Sequence, residues 1–149
     1  MRALVDANVY LSFLLSPDRP TPPALVVRAG LNRSYTLLVT AGVVQEFRDK
    51  SENKPYLAAR ITQHQTDKLA LELAAVAETV PELPPPLPQI GNDRKDDYLF
   101  AHAIFGEADY LVSGDTGVQK IGHIGDVRIV SPAGFLQVLG LGPPNSGQD

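Results

Sequence analysis

The chain has 149 residues, of which 44% are hydrophobic and 20% charged, and its net charge is −4. These values are typical of one soluble globular domain and argue against a protein that coats nucleic acid through a basic surface. The absence of cysteine excludes a disulfide framework, a thiolate zinc site and a cysteine nucleophile. No apolar stretch approaches the ~20 residues of a membrane span, and Asp6 interrupts the position of a signal-peptide core. We therefore expect a cytoplasmic protein with no membrane association.

The first third of the chain predicts strands that alternate with helices. Residues 2–6 have the composition of a strand and 7–15 that of a helix. A second helix begins near Pro22, because proline suits the first turn. Residues 35–39 form a buried strand, and Thr40 supplies the N-cap of the helix that follows.

The middle of the chain is mainly helical and ends in a proline-rich segment. Residues 55–61 predict a short helix, and Thr62 or Thr66 caps a longer one. The longer pattern has apolar residues every three or four positions, at Leu69, Leu73, Val76 and Val80, so one face packs in the core. The segment 81–88 contains five prolines and is interpreted as a stiff connecting loop.

The last third returns to alternating elements. They are a helix over about 96–105, a strand over 109–113, a helical turn from Thr116, a strand over 127–130 and a short helix after Ser131. The glycine-rich stretches 114–117 and 122–125 are interpreted as turns. The alternation predicts an α/β fold with a parallel sheet covered on both faces. We expect a single domain over 1–140 and a disordered tail over 141–149.

Four carboxylates stand out. Asp6 and Asp115 each follow an apolar run, and Glu46 and Asp97 lie in predicted helices. If the runs before Asp6 and Asp115 are parallel strands, both acids lie at the carboxyl edge of the sheet, where α/β folds bind ligands. Acids gathered there repel one another unless a cation lies between them. Mg²⁺ and Mn²⁺ prefer oxygen ligands and activate bound water. The pattern therefore predicts a metal-dependent hydrolase acting on phosphate esters.

Each acid also has a structural interpretation. Asp6 could cap the next helix, and for this residue taken alone capping is favoured. Glu46 is not explained by a capping box with Thr40, since the box would place the glutamate at position 43; a solvated helix face stays open. Asp93 and Asp96 both suit the first turn of a helix, where acids favour the helix dipole.

Three segments together resemble PIN (PilT N-terminus) domains: Leu4–Val9, Asp97–Ala103 and Ala108–Asp115. Within that family the chain is similar to the VapC-like toxins of prokaryotic toxin–antitoxin systems, over about residues 2–140. The resemblance implies a three-layer α/β/α sandwich with a mostly parallel central sheet. It also implies a divalent-metal-dependent endoribonuclease that takes RNA as substrate, is held off by a cognate antitoxin and forms a homodimer.

The resemblance also assigns the site. It places the four acidic positions of the family at Asp6, Glu46, Asp97 and Asp115. The three aspartates would coordinate one or two Mg²⁺ or Mn²⁺ ions, and Glu46 would bind a second ion or orient the attacking water.

Other polar residues would support these acids. Asn8, Ser113 and Thr116 stand beside the first and last of them. Asp96 is an ambiguity, because the doubled acid lets either Asp96 or Asp97 face the metal. The register of the apolar residues that follow favours Asp97.

Two other functions are weighed. In an aspartate-based phosphatase or phosphotransfer domain, Asp6 would be the phosphorylated nucleophile. The phosphatases usually have a second aspartate two positions later, where this chain has Asn8, and Lys120 is poorly placed for the lysine of a receiver. A non-catalytic PIN-fold RNA-binding protein is the third possibility.

Overall fold

The computed structural model describes residues 1–91 and 93–142. The expected tail from 141 therefore lies, from residue 143 onward, outside the described residues. The elements are, in chain order, β1 (Arg2–Val5), α1 (Ala7–Leu15), α2 (Pro22–Leu31), β2 (Thr36–Val39), α3 (Ala41–Asn53), α4 (Pro55–Ala58), α5 (Gln63–Val76), β3 (Glu78–Thr79), α6 (Arg94–Phe105), β4 (Tyr110–Val112), α7 (Thr116–Gln119), β5 (His123–Ile124), β6 (Val127–Val130) and α8 (Pro132–Leu139).

The strands form one mostly parallel sheet in the order β3-β2-β1-β4-β6-β5. Among the strands within residues 1–91 and 93–142, only β5 runs antiparallel to its neighbour, β6. In the central strand β1, the consecutive residues Ala3, Leu4 and Val5 are all fully buried, although neighbours along a strand point to opposite faces. Both faces are therefore covered, which confirms the predicted three-layer α/β/α sandwich.

The starts of α3 and α5 follow predicted capping residues, whereas the start of α6 does not. Thr40 Oγ1 accepts a hydrogen bond from Val43 N at 3.0 Å and begins α3. Thr62 forms a capping box with Gln65 at the start of α5, so Thr62, and not Thr66, is the cap. The predicted start of α6 at 96 is wrong: Asp93 Oδ1 accepts from Lys95 N at 2.8 Å and starts the helix two residues earlier, at Arg94.

Two short strands were not predicted. β3 is two residues long and exposed, so it carries no apolar pattern. β5 lies within the stretch 122–125 that was interpreted as turns. Gly122 and Gly125, both at positive φ, flank β5 and allow the chain to reverse into β6.

Two helix ends also differ from the prediction. α5 ends at Val76, so Val80 belongs to the chain after β3, although it is buried as predicted. α4 ends at Ala58, before the predicted end at 61. After α4 a helical hydrogen bond still reaches the predicted end, since Ile61 N donates to Leu57 O at 2.8 Å. After α5 the apolar spacing outlasts the helix, because core contacts and helix geometry need not end together.

The proline-rich segment has no helix or strand over residues 81–91, as predicted, and it connects β3 to α6. Its start is fixed to α6, since Leu83 N donates to Nε2 of the fully buried His102 at 3.0 Å. Nδ1 of the same ring lies 2.8 Å from Tyr98 O, so the ring proton resides on Nδ1. The backbone of the loop and one face of α6 therefore hold each other in place.

Within residues 1–91 and 93–142, none of the helices combines the length and the apolar character that a membrane crossing requires.

Candidate active site at the carboxyl edge of the sheet

Three buried polar residues end three adjacent strands at the same level. The register pairs Val5 of β1 with Val112 of β4, and Leu4 with Leu38 of β2. Continuing that register aligns Asp6 with Ser113 on one side and with Thr40 on the other. All three are buried, with exposed fractions of 5%, 0% and 0%. The sheet therefore gathers a polar edge, as the sequence predicted for Asp6.

Asp6 occupies the N-cap position of α1 but its side chain does not cap the helix. Its Oδ2 instead accepts a hydrogen bond from Ser113 Oγ at 3.0 Å. Burial raises the pKa of Asp6, the hydrogen bond from Ser113 lowers it, and the charge of Glu46 raises it further. The capping interpretation of this side chain is therefore wrong, and Asp6 is a buried carboxyl close to a second acid.

Glu46 lies on α3 beside the start of α1, together with a lysine that was not among the predicted site residues. Its Oε2 pairs with Lys50 Nζ at 2.8 Å, and the same Nζ donates to Asn8 Oδ1 at 3.4 Å. The charge of Lys50 also lowers the pKa of Asp6. A protein cation thus partly neutralises this group of acids. The i,i+4 spacing from Glu46 to Lys50 was the available sequence signal.

Asp97 and Asp96, neighbours in the first turns of α6, have different environments. Asp97 is buried, and its Oδ1 accepts from Ile90 N at 2.9 Å and from Gly91 N at 2.5 Å. Asp96 is half-buried, and its pKa is raised by desolvation first and then by the charges of Asp93, Asp115 and Asp97. One oxygen of Asp97 is thus engaged by the loop, whereas Asp96 lies within the electrostatic field of Asp115.

Asp115 lies after β4 and is exposed. Its Oδ1 caps α7 by accepting from Gly117 N at 2.7 Å and from Val118 N at 3.4 Å. Its backbone N donates to Ser113 Oγ at 3.1 Å, the same hydroxyl that donates to Asp6. Thr116 is the exposed first residue of α7. Ser113 therefore links the first and last acids.

The predicted acids form two groups around this edge. Asp6 and Glu46 lie on one side with Asn8, and Asp96, Asp97 and Asp115 on the other. Over the described ranges 1–91 and 93–142, no three acids or histidines are close enough together to hold a metal ion. The donors suit a hard divalent cation, because they are carboxylate and amide oxygens. The raised pKa of Asp6 shows that its negative charge is disfavoured by burial and by Glu46, and a bound cation would stabilise that charge. Binding would require side chains of the two groups to converge.

The fold and the edge define an α/β protein with an acidic site at the carboxyl ends of its central strands. The model of the PIN domain family matches residues 2–117, and the chain belongs to that family. Among solved structures it is similar to VapBC2 from Rickettsia felis bound to a DNA fragment from its promoter. That match has a TM-score of 0.56 and 14% identity, and covers 88% of this chain and 98% of the other. At this identity the likeness shows the fold. No curated protein matches the chain significantly.

Proposed function

We propose that this chain is a divalent-metal-dependent endoribonuclease of PIN type and the toxin of a toxin–antitoxin pair. It would hydrolyse RNA phosphodiester bonds with a metal-activated water and act in the cytoplasm, as a homodimer restrained by a cognate antitoxin.

The observation that carries the proposal is the state of Asp6. A carboxylate at an N-cap normally accepts hydrogen bonds from the first helical turn, which repays part of its desolvation. Asp6 lacks that side-chain capping bond, and it is buried close to Glu46. Keeping an acid in this state costs stability unless a cation or a proton compensates it. Such an arrangement is typical of functional sites.

Family membership and fold support the finer parts of the proposal. The chain belongs to the PIN domain family, and the sequence resembles VapC-like toxins in particular. A solved structure of similar fold is a VapBC2 complex, which favours an antitoxin as a partner of this chain as well.

We assign the metal to the acids on both sides of Ser113. Asp6 and Glu46 would hold it from one side, and Asp97 or Asp96 with Asp115 from the other. A bound Mg²⁺ or Mn²⁺ would lower the pKa of a water molecule and stabilise charge on the phosphoryl oxygens. Ser113 would position Asp6 by its hydrogen bond, and Lys50 would neutralise Glu46 until the cation binds.

The direct test is cleavage of total cellular RNA by the purified protein in Mg²⁺, Mn²⁺ or EDTA. Wild type is expected to cut with either metal and not in EDTA, and Glu46→Gln should lose most of the activity. Asp18→Asn, at an exposed loop position, is the matched control. Cutting that persists in EDTA would contradict the metal requirement, and Mn²⁺ binding without cutting would favour the non-catalytic RNA-binding alternative.

The toxin assignment needs a test in cells. Induced expression of wild type is expected to stop growth, whereas Asp6→Asn should not. Co-expression of a small protein encoded beside the gene should restore growth by binding the chain. Unimpaired growth with active, soluble wild-type protein would contradict the assignment while leaving the nuclease proposal intact.

A further inference from the structure

A cleft of about 550 Å³ opens between the proline-rich loop and the start of α6. Its lining consists of Pro85, Pro86, Leu87, Gln89, Arg94 and Asp97. One of the predicted site acids therefore forms part of its wall. A volume of this size falls within the roughly 300–1,000 Å³ of small-molecule sites in proteins.

The wall of the cleft is preformed, because α6 fixes the loop at both ends. Leu83 N is bound by His102 Nε2 at 3.0 Å, and Ile90 N by Asp97 Oδ1 at 2.9 Å. Near the first of these contacts, Tyr98 OH donates to Glu82 Oε2 at 2.5 Å. The segment between the two attachments and the start of α6 together line the cleft.

Two polar side chains in the lining have no internal role. Arg94 and Gln89 are exposed, and neither the guanidinium nor the amide has a hydrogen-bond or ion-pair partner within the part of the chain that the structure describes. A few unpaired polar groups beside an apolar wall are typical of a ligand site.

We propose that this cleft binds one nucleotide of single-stranded RNA beside the cleavage centre and so contributes to the choice of cut site. This inference rests on the proposed function. Arg94 holds a phosphate with its planar fork of donors. The faces of the two prolines and Leu87 pack against the base, and the amide of Gln89, which can both donate and accept, binds its edge.

Binding of a phosphate in this cleft depends on the positive charge of Arg94, because the other charged residues nearby are mostly acids. Asp93, Asp96 and Asp97 lie within three positions of it on the chain, and each repels a phosphate. The next cation, Lys95, is exposed and does not line the cleft. Neutralising Lys95 is therefore the matched control for neutralising Arg94.

The binding test uses wild-type protein in EDTA, with single-stranded oligonucleotides that carry 4-thiouridine at one position. Photo-crosslinks, located by peptide mass spectrometry, are expected within residues 85–94. Loss of the charged hydrogen bonds from Arg94 predicts that Arg94→Ala weakens binding by at least about tenfold, whereas Lys95→Ala changes it little. Thermal unfolding of both variants should match wild type, since neither side chain supports the fold.

Cleavage gives a second and separate readout. In Mn²⁺, Gln89→Ala is expected to broaden the set of cut sites mapped on total RNA. Crosslinks outside 85–94, or equal weakening by Lys95→Ala and Arg94→Ala, would overturn the nucleotide subsite even if the protein cuts RNA. Crosslinks within 85–94 without any cutting would support the subsite and reject the nuclease.

Discussion

The ends of β1 and β4 differ more than their sequences suggest. Each strand ends in buried apolar residues and is followed by an acid at the N-cap of the next helix. Asp115 uses its carboxylate to cap α7 and is exposed to solvent. Asp6 leaves α1 without a side-chain cap and is buried against Ser113. One acid thus stabilises the fold locally, whereas the other is held in an unfavourable state that a cation would relieve.

The largest expected effect comes from removing the charge of Asp6. Asp6→Asn keeps the oxygen that accepts from Ser113 Oγ, so the fold should survive. If the charge binds the metal, cleavage should fall by on the order of 100-fold or more, as for other preorganised charge-stabilising groups. The loss is measured from initial rates of cleavage of a defined RNA in Mn²⁺, for wild type and Asp6→Asn. Activity within a few-fold of wild type would reduce Asp6 to a structural residue and remove the contrast with Asp115.

Variants of Asp97 test whether one acid can both stabilise the fold and bind the metal. Its Oδ1 accepts from two backbone N–H groups of the loop. Losing that acceptor should cost about 1–3 kcal/mol in Asp97→Ala and expose residues 84–91 to proteolysis, while Asp97→Asn preserves the loop. If Asp97 also binds metal, both variants lose activity. If Asp96 is the ligand instead, Asp96→Asn is inactive and Asp97→Asn is not.

Variants of Asp115, the exposed acid after β4, separate helix capping from metal binding in the same way. Asp115→Ala removes the cap of α7 and should lower the free energy of unfolding by about 1 kcal/mol, whereas Asp115→Asn retains the cap. Urea denaturation measures both. A metal role predicts that Asp115→Asn is nevertheless impaired in cleavage. Full activity in Asp115→Asn would show that capping is its whole contribution.

The pH dependence of stability should carry the signature of Asp6. Burial raises its pKa above the ordinary 3.8, so the folded chain binds this proton more tightly than the unfolded chain does. The free energy of unfolding should therefore fall as pH rises from near 3.8 through the raised pKa of Asp6. Denaturation curves for Asp6→Asn should lack this component. Identical pH profiles for the two proteins would contradict the energetic cost inferred for the buried charge.

Lys50 should give the smallest effect. It neutralises Glu46 and contacts Asn8, so it competes with any added cation. Lys50→Met is expected to tighten Mn²⁺ binding by a few-fold, by loss of a partly screened charge, in calorimetric titration. Lys54→Met, at an exposed position beyond the end of α3, is the control. Weaker binding in Lys50→Met would mean that the lysine organises the site instead.

Much of the fold was predictable, because local rules agree with it. The bounds of α1 and β6 were predicted to the residue, and Thr40 was identified as a cap. β3 and β5 were missed because each is two residues long and depends on pairing with a longer strand. The start of α6 was misplaced because Asp93 and Asp96 both suit a helix start, and only the hydrogen bond from Lys95 N to Asp93 Oδ1 decides between them.

By itself, the sequence determined the alternation of strands and helices, the cap of α3 at Thr40 and the place of Asp6 at the edge of the sheet. These properties follow from hydrophobic period and local hydrogen bonding within a few residues. Only the tertiary structure decided that the side chain of Asp6 leaves α1 uncapped and binds Ser113 instead. Ser113 donates a hydrogen bond to Asp6, which is 107 positions away in the sequence, because the parallel register of β1 and β4 places the two residues side by side. The tertiary structure also decided that Lys50 contacts Asn8 near Asp6 and that the proline-rich loop donates hydrogen bonds to one oxygen of Asp97. Both contacts arise because separate elements pack together.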